Sequence, residues 1–324
     1  MTKNKAQIVD NIIRKSKNIA LMGHRDGDGD CYGAMIGLYL SLIKLGKNVQ
    51  IYSENDLPDS LQFLRENNQI IFTNKYQEEI DCFVILDTSD KNIISVPSVA
   101  DKYFSDKRVT SILLDHHERG ELAANVDCAW VEQKYCSTAE LVFDLIKGME
   151  IDIDSEIATA LLTGIDTDTS SFQTQNTTSE AFASASYLID KGARLYDIVQ
   201  NTYFNNTVDS LKIRALVIDR LVVNRKYNVA MSYLLNEDFR NLCSEEASRM
   251  IGQANFLNTL KSKKMIIFMS EIESEVVRVS LRTRDHKVDV SKFAKALGGG
   301  GHVKAAGFLI KGHLIFDGSV IKIV

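Results

Sequence analysis

Residues 23–35, GHRDGDGDCYGAM, place one histidine and three alternating aspartates within seven positions. The histidine is His24, and the aspartates are Asp26, Asp28 and Asp30. Carboxylates this close repel one another unless a cation lies among them. The run alone is compatible with a solvated acidic turn, a calcium-binding loop or one edge of a catalytic metal site. The calcium loop fits least well, because the bidentate glutamate that closes such a loop is missing.

Three later clusters carry the same kinds of side chain. They are Asp87, then Asp115 with His116 and His117, and then Asp166 with Asp168. Taken singly, an aspartate that closes a strand is more often a helix cap than a ligand. Taken together, carboxylates and a few imidazoles suit Mn²⁺ or Mg²⁺, and suit Zn²⁺ less well without thiolates. More ligands are on offer than one ion needs, which predicts a pair of ions about 3.5–4 Å apart.

Short apolar runs alternate with helix-period segments through the first half of the chain. They predict strands at 18–24, 48–53, 81–90 and 109–117, and helices at 31–45, 137–149, 155–164 and 179–191. Strands interleaved with helices favour an α/β fold with a mostly parallel sheet flanked by helices. Ligands bind beyond the carboxyl ends of the strands in such sheets, so the clusters are expected to converge on one site.

The second half of the chain predicts a smaller α/β unit. It carries predicted strands at 227–234, 265–272 and 275–283, and predicted helices near 245–260 and 289–296. A predicted helix over 206–223 joins the two halves. We therefore expect a catalytic domain over 1–195, a helical linker over 196–215 and a second domain over 216–324.

The two halves differ in charge. Residues 1–202 carry 19 Lys and Arg against 31 Asp and Glu, and the remainder carries 19 against 12. An acidic half joined to a basic half suits metal cations in one and an anionic substrate in the other, although drift of surface charge gives the same numbers. The longest apolar stretch, 34–45, is too short and too interrupted to span a bilayer, which predicts a cytoplasmic protein without membrane contact.

The cysteines do not form a recognisable framework. They are odd in number and contain no C-x-x-C pair: Cys31, Cys82, Cys128, Cys136 and Cys243. Free thiols are therefore expected rather than disulfides or a structural zinc site. Cys31 is expected near a helix N-terminus, which favours the thiolate, but the sequence offers it no partner for nucleophilic catalysis.

Four segments, in this order, resemble the four motifs of the DHH phosphoesterase superfamily. They are GHRDGDGDCYGA (23–34), VILDTSD (84–90), LLDHH (113–117) and TGIDTDTSSF (163–172). SLRTR (280–284) and DVSKFAKALGGGGHVKAAGF (289–308) resemble the associated DHHA1 domain. Among the superfamily, the chain most resembles the branch of nano-RNases (oligoribonucleases) that are also phosphatases of 3′-phosphoadenosine-5′-phosphate (pAp). The resemblance implies an active site in the cleft between the two domains.

The resemblance also implies a role for each motif residue. The implied ligands are His24 and Asp28 for a first metal ion, Asp30, His116 and Asp168 for a second, and Asp87 as a bridge between both. Asp168 is preferred to Asp166, because the family's aspartate lies within TDT. His117, facing the substrate, and Asp115 are the catalytic candidates. In the implied mechanism, a water activated by two metal ions attacks phosphorus in line.

In the second domain, the resemblance implies substrate binding by Arg282, Gly299, Gly300, Gly301 and His302. Glycine amides can approach a phosphate closely, and an arginine can contact a terminal phosphate with two nitrogens. A glycine run by itself is more often a flexible turn. The flanking motif residues favour the binding interpretation here.

Four positions depart from the family pattern. Gly27 stands where proline is usual, Ala34 where serine is frequent, Gly120 where asparagine follows the histidine pair, and Ser170 where glycine follows TDT. None of these changes removes a metal ligand. They bear on the shape of the substrate pocket and therefore on the substrate preference.

The leading hypothesis is a phosphohydrolase with two divalent ions, Mn²⁺ first and Mg²⁺ or Co²⁺ as options. Its expected substrates are pAp and RNA of about two to five nucleotides, because a cleft with one phosphate clamp and no long basic track measures a few nucleotides. The alternative is a phosphodiesterase for cyclic di-AMP or linear pApA. A metal- and nucleotide-binding homologue without turnover is the remaining option. A homodimer is compatible with the sequence.

Overall fold

The computed structural model describes residues 2–65, 70–239, 252–273, 275–301, 303–316 and 321–324. These residues form two compact units, Met1–Asn205 and Asn206–Val324. None of the described helices is both long and apolar enough to cross a membrane.

The first unit is built on a six-stranded sheet. Its strands are β1 (Asn18–Met22), β2 (Asn48–Tyr52), β3 (Phe72–Thr73), β4 (Cys82–Leu86), β5 (Thr110–Asp115) and β6 (Cys128–Val131). Their order is β3-β2-β1-β4-β5-β6, and each neighbouring pair is parallel. This confirms the parallel sheet that the apolar runs predicted.

Helices cover both faces of this sheet. They are α1 (Thr2–Lys15), α2 (Gly29–Lys44), α3 (Pro97–Ser105), α4 (Thr138–Gly148), α5 (Ser155–Asp168), α6 (Ser179–Asp190) and α7 (Leu195–Thr202). Successive side chains of a strand point to opposite faces. Ile19 and Leu21 of β1 accordingly join one apolar core, and Ala20 and Met22 join the other. Burial on both faces explains why the strands are continuous apolar runs in the sequence.

The order of the strands reverses in the middle of the sheet. The chain moves outward from β1 through β2 to β3 on one side, and then returns to place β4 on the other side of β1. In open α/β sheets, ligands bind at the crevice outside the carboxyl ends of the strands at such a reversal. His24 follows β1 and Asp87 follows β4, so these two residues flank the crevice.

The helix α5 is longer than its predicted segment, 155–164, and ends at Asp168. Asp166 and Asp168 therefore both lie in its last turn. The next residues turn sharply, since Ser170, Ser171 and Phe172 have φ values of 48°, 58° and 62°. Ser170 thus adopts a left-handed conformation, which glycine enters at the least cost.

The second unit contains a mixed sheet and short helices. The helices are α8 (Val208–Asp219), α9 (Gln253–Leu257) and α10 (Val290–Ala296). The strands are β7 (Val222–Asn224), β8 (Val229–Leu234), β9 (Met265–Glu273), β10 (Val276–Arg282), β11 (Gly300–Gly301) and β12 (Ala305–Lys311), with a hairpin of β13 (Leu314–Phe316) and β14 (Ile321–Ile323). The sheet order is β11-β12-β10-β9-β8-β7, and only the β8–β9 pair among these described strands is parallel. This confirms the predicted α/β class.

Two predicted helices of the second half differ from the structure. The predicted connecting helix over 206–223 ends at Asp219, and the residues after Leu221 form β7 instead. Much of the predicted helix near 245–260 lies outside the described residues, and Gln253–Leu257 is helical.

Candidate metal centre

The predicted metal ligands lie around the carboxyl edge of the first sheet. Three neighbouring strands and two helices supply them: His24 after β1, Asp87 after β4, His116 after β5, Asp28 and Asp30 at the start of α2, and Asp168 at the end of α5. Parallel strands bring their carboxyl ends to one edge, which is why residues far apart in sequence meet here.

Asp87 occupies the middle of this group. Its Oδ2 lies 3.5 Å from His24 Nε2, and its Oδ1 lies 3.9 Å from His116 Nε2 and 3.5 Å from His117 Nδ1. The residue is 3 % exposed and has a φ of 57°, a left-handed conformation that aspartate tolerates better than most residues. In this conformation the carboxylate lies between His24, which follows β1, and the pair His116 and His117, which follows β5.

Two sets of donor atoms share this carboxylate. One set is His24, Cys31 and Asp87, and the other is Asp87, His116 and His117. Within each set, all donor atoms lie within 4.8 Å of one another. An arrangement of two sets with one common carboxylate suits two metal ions bridged by Asp87.

The imidazole of His116 provides a test of whether a metal ion fits. Its Nε2 is buried and has no hydrogen-bond partner. It lies 3.8 Å from Asp30 Oδ2, 3.9 Å from Asp87 Oδ1 and 3.8 Å from Asp168 Oδ2. Buried polar atoms are normally hydrogen-bonded, so a nitrogen without a partner among three carboxylates fits a divalent cation.

The electrostatics of these carboxylates also favour a bound cation. Burial and the charges of Asp87 and Asp168 raise the pKa of Asp30 well above its usual value. Burial and neighbouring carboxylates raise the pKa of Asp168 to about 7. Burial alone would raise the pKa of Asp87 as well, but the surrounding histidines hold it below its usual value. Carboxylates that repel one another in this way gain from a bound cation.

His117 is held by Asp115. Asp115 Oδ1 accepts hydrogen bonds from the His117 backbone N–H, at 3.2 Å, and from Nδ1, at 2.7 Å. Burial would lower the pKa of His117, but the hydrogen bond to Asp115 and the negative charges of Asp87, Asp115 and Asp168 together outweigh it and raise the pKa to about 9. Asp115 is fully buried, so it orients His117 and does not itself face a substrate.

Asp28 is the least enclosed of the predicted ligands. It is the N-cap of α2, where its Oδ1 accepts from the backbone N–H groups of Asp30 and Cys31 at 3.1 Å each. Its side chain is 65 % exposed and lies 3.9 Å from His24 Nε2. The oxygen that caps the helix, Oδ1, is also the Asp28 oxygen that lies 3.9 Å from His24 Nε2.

The sequence interpretation missed Thr138, which contacts two of the carboxylates. Its Oγ1 donates to Asp87 Oδ1 at 3.0 Å, and its backbone N–H donates to Asp30 Oδ2 at 2.7 Å. Ala139 N–H donates to Asp30 Oδ1 at 2.8 Å. Asp30 thus binds the N-terminus of α4, where amide groups and the helix dipole favour an anion. The capping sequence Ser137–Glu140 was a readable signal for this helix start, but its contact with Asp30 was not.

Asn176, also missed, connects Asp168 to the loop before α4. Its Nδ2 donates to Cys136 O at 2.7 Å and to Asp168 Oδ2 at 3.2 Å. Asp166, which the prediction set aside, has two buried oxygens without hydrogen-bond partners, and burial raises its pKa. In the first unit, the structure thus brings every predicted ligand to one edge of the sheet and adds Cys31, Thr138 and Asn176.

The substrate-binding candidates lie in the second unit. Arg282 ends β10, and its Nε donates to Asn255 Oδ1 at 2.6 Å. A Cβ atom on Gly299 would lie 2.1 Å from Gly307 O, and Gly301 has a φ of 125°. Close packing against β12 therefore requires these two glycines. A side chain at Gly300 would meet open space, and His302 lies outside the described residues.

Comparison with family models identifies both halves of the chain. Residues 18–165 match the DHH family, N-terminal domain. Residues 227–317 match the DHHA1 domain. The first match contains the motif residues from His24 to His117, and the second contains Arg282 and the glycine run.

Two of the curated proteins that are similar along most of the chain differ in their activities. One is the bifunctional oligoribonuclease and PAP phosphatase NrnA of Thermus thermophilus, 29 % identical over 301 residues, which cover 91 % of this chain and 84 % of that protein. The other is the cyclic-di-AMP phosphodiesterase GdpP of Bacillus subtilis, 30 % identical over 325 residues, which cover 93 % of this chain and 46 % of that protein.

The solved structures that align with nearly the whole chain include the crystal structure of an exopolyphosphatase-related protein from Bacteroides fragilis, with a TM-score of 0.84 and 25 % sequence identity. The alignment covers 98 % of this chain and 92 % of that one.

Proposed function

Because the chain belongs to the DHH family, with a DHH and a DHHA1 domain, it is a metal-dependent phosphoesterase, and we propose that it hydrolyses very short RNA and pAp. The expected RNA length is about two to five nucleotides, because a site with one phosphate clamp accommodates a strand of only that length. The products of RNA cleavage would be mononucleotides, and the proposed role is RNA degradation in the cytoplasm.

The observation that carries the proposal is the pair of donor sets around Asp87. The two sets of donor atoms share one buried carboxylate and contain three of the proposed ligands, His24, Asp87 and His116, an arrangement that suits a two-metal phosphoesterase. The unpartnered His116 Nε2 among three carboxylates supports the same conclusion. The similarity to the Thermus thermophilus oligoribonuclease and PAP phosphatase over most of both chains supports the choice of substrates.

The proposed metal ions are Mn²⁺, with Mg²⁺ and Co²⁺ as further options. The proposed ligands are His24, Asp28, Asp30, Asp87, His116 and Asp168. Bound divalent ions lower the pKa of water and neutralise charge on phosphoryl oxygens. The histidines and aspartates orient these ions, because each is itself held by a strand end, a helix start or a neighbouring hydrogen bond.

We propose that His117 and the motif residues of the second unit contact the substrate. Asp115 holds Nδ1 of His117, and this imidazole is proposed to hydrogen-bond to or protonate the departing oxygen. Arg282 and the amides of Gly299, Gly300 and Gly301, with His302, are proposed to bind the substrate phosphate. These assignments rest on the positions that match the family motifs.

A second candidate function is hydrolysis of cyclic di-AMP or its linear product, pApA. The 30 % identity to GdpP of Bacillus subtilis over 93 % of this chain favours it. The metal centre would serve this reaction equally well, because both reactions displace an oxygen from phosphorus.

A side-by-side rate panel distinguishes the candidates. The full chain with Mn²⁺ would be given pAp, ribonucleotides of two to five residues, cyclic di-AMP, pApA and pyrophosphate at equal concentrations. We expect the highest kcat/KM on the short ribonucleotides and pAp, with activity lost in chelator and restored by Mn²⁺. Preference for cyclic di-AMP or pApA would favour the second candidate, and no hydrolysis of any substrate would reject both.

A further inference from the structure

Cys31 lies within the metal centre, although neither the sequence motifs nor the proposed mechanism gives it a role. Its Sγ, a ring nitrogen of His24 and a carboxylate oxygen of Asp87 all lie within 4.8 Å of one another. Among the described residues, Asp28 does not belong to this set. The cysteine therefore offers the first metal position a donor that lies closer to His24 and Asp87 as a set than Asp28 does.

The surrounding backbone fixes the position of this sulfur. Cys31 is in the first turn of α2 and is fully buried. A Cβ atom on Gly23 would lie 2.1 Å from Cys31 Sγ and 3.3 Å from Met35 Cε. The glycine at the end of β1 therefore leaves the space that the sulfur fills, immediately before His24.

A buried cysteine is more often a small apolar residue than a ligand. Two features distinguish Cys31 from such a residue. It faces an imidazole, and it faces the carboxylate of Asp87, which is 3 % exposed. Cys31 and Cys82 both contribute to the same apolar core, but Cys82, at the start of β4, belongs to neither donor set among the described residues.

We propose that Cys31 is a sulfur ligand of the first metal ion, beside His24 and Asp87. This inference rests on the metal centre of the proposed function. On binding, the thiol releases its proton to solvent as the sulfur–metal bond forms. The first position then offers sulfur, nitrogen and oxygen and favours Zn²⁺ or Co²⁺, whereas the second offers only nitrogen and oxygen and suits Mn²⁺ or Mg²⁺. The two positions differ in metal preference.

The first test uses the unmodified full chain and needs no substrate. The protein is freed of metal with a chelator, kept reduced with a phosphine, loaded with one equivalent of Zn²⁺ and measured by X-ray absorption at the zinc edge. We expect a sulfur scatterer at about 2.3 Å, the usual zinc–thiolate distance. A shell of nitrogen and oxygen alone would overturn the proposal.

The second test compares cysteine variants during a Co²⁺ titration. The wild-type protein is expected to develop the near-ultraviolet charge-transfer band of a cobalt thiolate. Cys31→Ser and Cys31→Ala should lose the band and bind Co²⁺ about tenfold more weakly or worse, while Mn²⁺ binding at the second position changes little. Cys128→Ser is the matched control, because this half-buried thiol lies at the start of β6, and it should retain the band.

The outcomes separate this inference from the proposed function. Cobalt binding and turnover without a Cys31-dependent band would reject the sulfur ligand and leave the metal centre intact. Absence of any metal binding by a folded wild-type protein, checked by its thermal transition, would reject both. A band that survives in Cys31→Ala would also overturn the proposal.

Discussion

The metal centre and the glycine run of the second unit are built in different ways. Three carboxylates of the centre are buried and accept hydrogen bonds: Asp30 is 2 % exposed, Asp87 3 % and Asp115 not at all. Gly300 and Gly301 are exposed, and their contacts are mainly those of a short backbone strand. Bond cleavage requires charged groups fixed to within fractions of an ångström, whereas holding a phosphate tolerates more variation.

This difference predicts different kinetic consequences. Changes in the metal centre should lower kcat, because they affect the groups that act on the transition state. Changes near Arg282 should raise KM with little effect on kcat, because they affect groups that bind the substrate before and during the reaction. The following substitutions test that division, beginning with the largest expected effect.

Replacement of the shared carboxylate should have the largest effect. Asp87→Asn keeps the side-chain shape, an acceptor for Thr138 and a residue that tolerates the φ of 57°. It removes the charge that both donor sets share. We expect kcat to fall on the order of a thousandfold, because metal stabilisation of the transition state contributes several kcal/mol. Initial rates at saturating Mn²⁺ and substrate, with metal content measured in parallel, would check this.

A nearby aspartate provides the control for Asp87→Asn. Asp90 lies in the same loop, where its Oδ1 accepts from Asn92 N–H at 2.9 Å. Asp90→Asn should therefore leave kcat within about twofold, as substitutions away from a site usually do. Equal losses in both variants would show that the loop, and not the shared carboxylate, limits the reaction.

A smaller loss is expected from Thr138, which orients carboxylates without contacting the substrate. Thr138→Val removes the hydroxyl that donates to Asp87 and retains the backbone N–H that donates to Asp30. Loss of such a supporting hydrogen bond costs about 10- to 100-fold in metal affinity or activity. Metal titration by calorimetry and steady-state rates would measure both quantities.

Thr138→Ser distinguishes positioning from packing. Serine keeps the hydroxyl and loses the methyl group, whereas valine does the reverse. We expect serine to restore most of the metal affinity and kcat. If valine is as active as wild type and serine is not, Thr138 has only a packing role.

Asp87 and Thr138 differ in how far the sequence alone could predict their positions in the centre. Asp87 ends an apolar run. The parallel sheet that such runs predict places strand ends at one edge, and the structure has Asp87 there, directly after β4. The hydrogen bond from Thr138 to Asp30 joins residues 108 positions apart. No local pattern encodes that contact, because it depends on how α2 and α4 pack.

Cys31 and Ser170 also have features that the sequence alone could not predict. Cys31 had no partner in the sequence, because His24 and Asp87 approach it only when β1, β4 and α2 are assembled. Ser170 was recognised as a departure from a glycine position, but its φ of 48° became evident only in the structure. Composition and periodicity therefore identified the elements and most of the acidic side chains, while packing determined their neighbours.

A KM effect is expected in the second unit. Arg282→Ala should raise KM for pAp about 10- to 100-fold, since a charge-assisted hydrogen bond contributes about 1.5–3 kcal/mol. The kcat should change by less than about threefold, because uniform binding does not affect the chemical step. Arg284→Ala, at an exposed arginine two residues further on, is the control. An unchanged KM in Arg282→Ala would remove this residue from the substrate site.

The smallest effect is expected within the acidic run itself. Asp26 is exposed and has a φ of 56°, a conformation that asparagine adopts readily. Asp26→Asn should therefore leave kcat and the melting temperature unchanged within error. Asp28→Asn is the informative comparison, because asparagine still caps α2 while the negative charge is lost. We expect it to fold with wild-type stability and to lose metal affinity and turnover. Equal activity of the two variants would mean that Asp28 only caps the helix, and that His24, Cys31 and Asp87 hold the first metal ion without it.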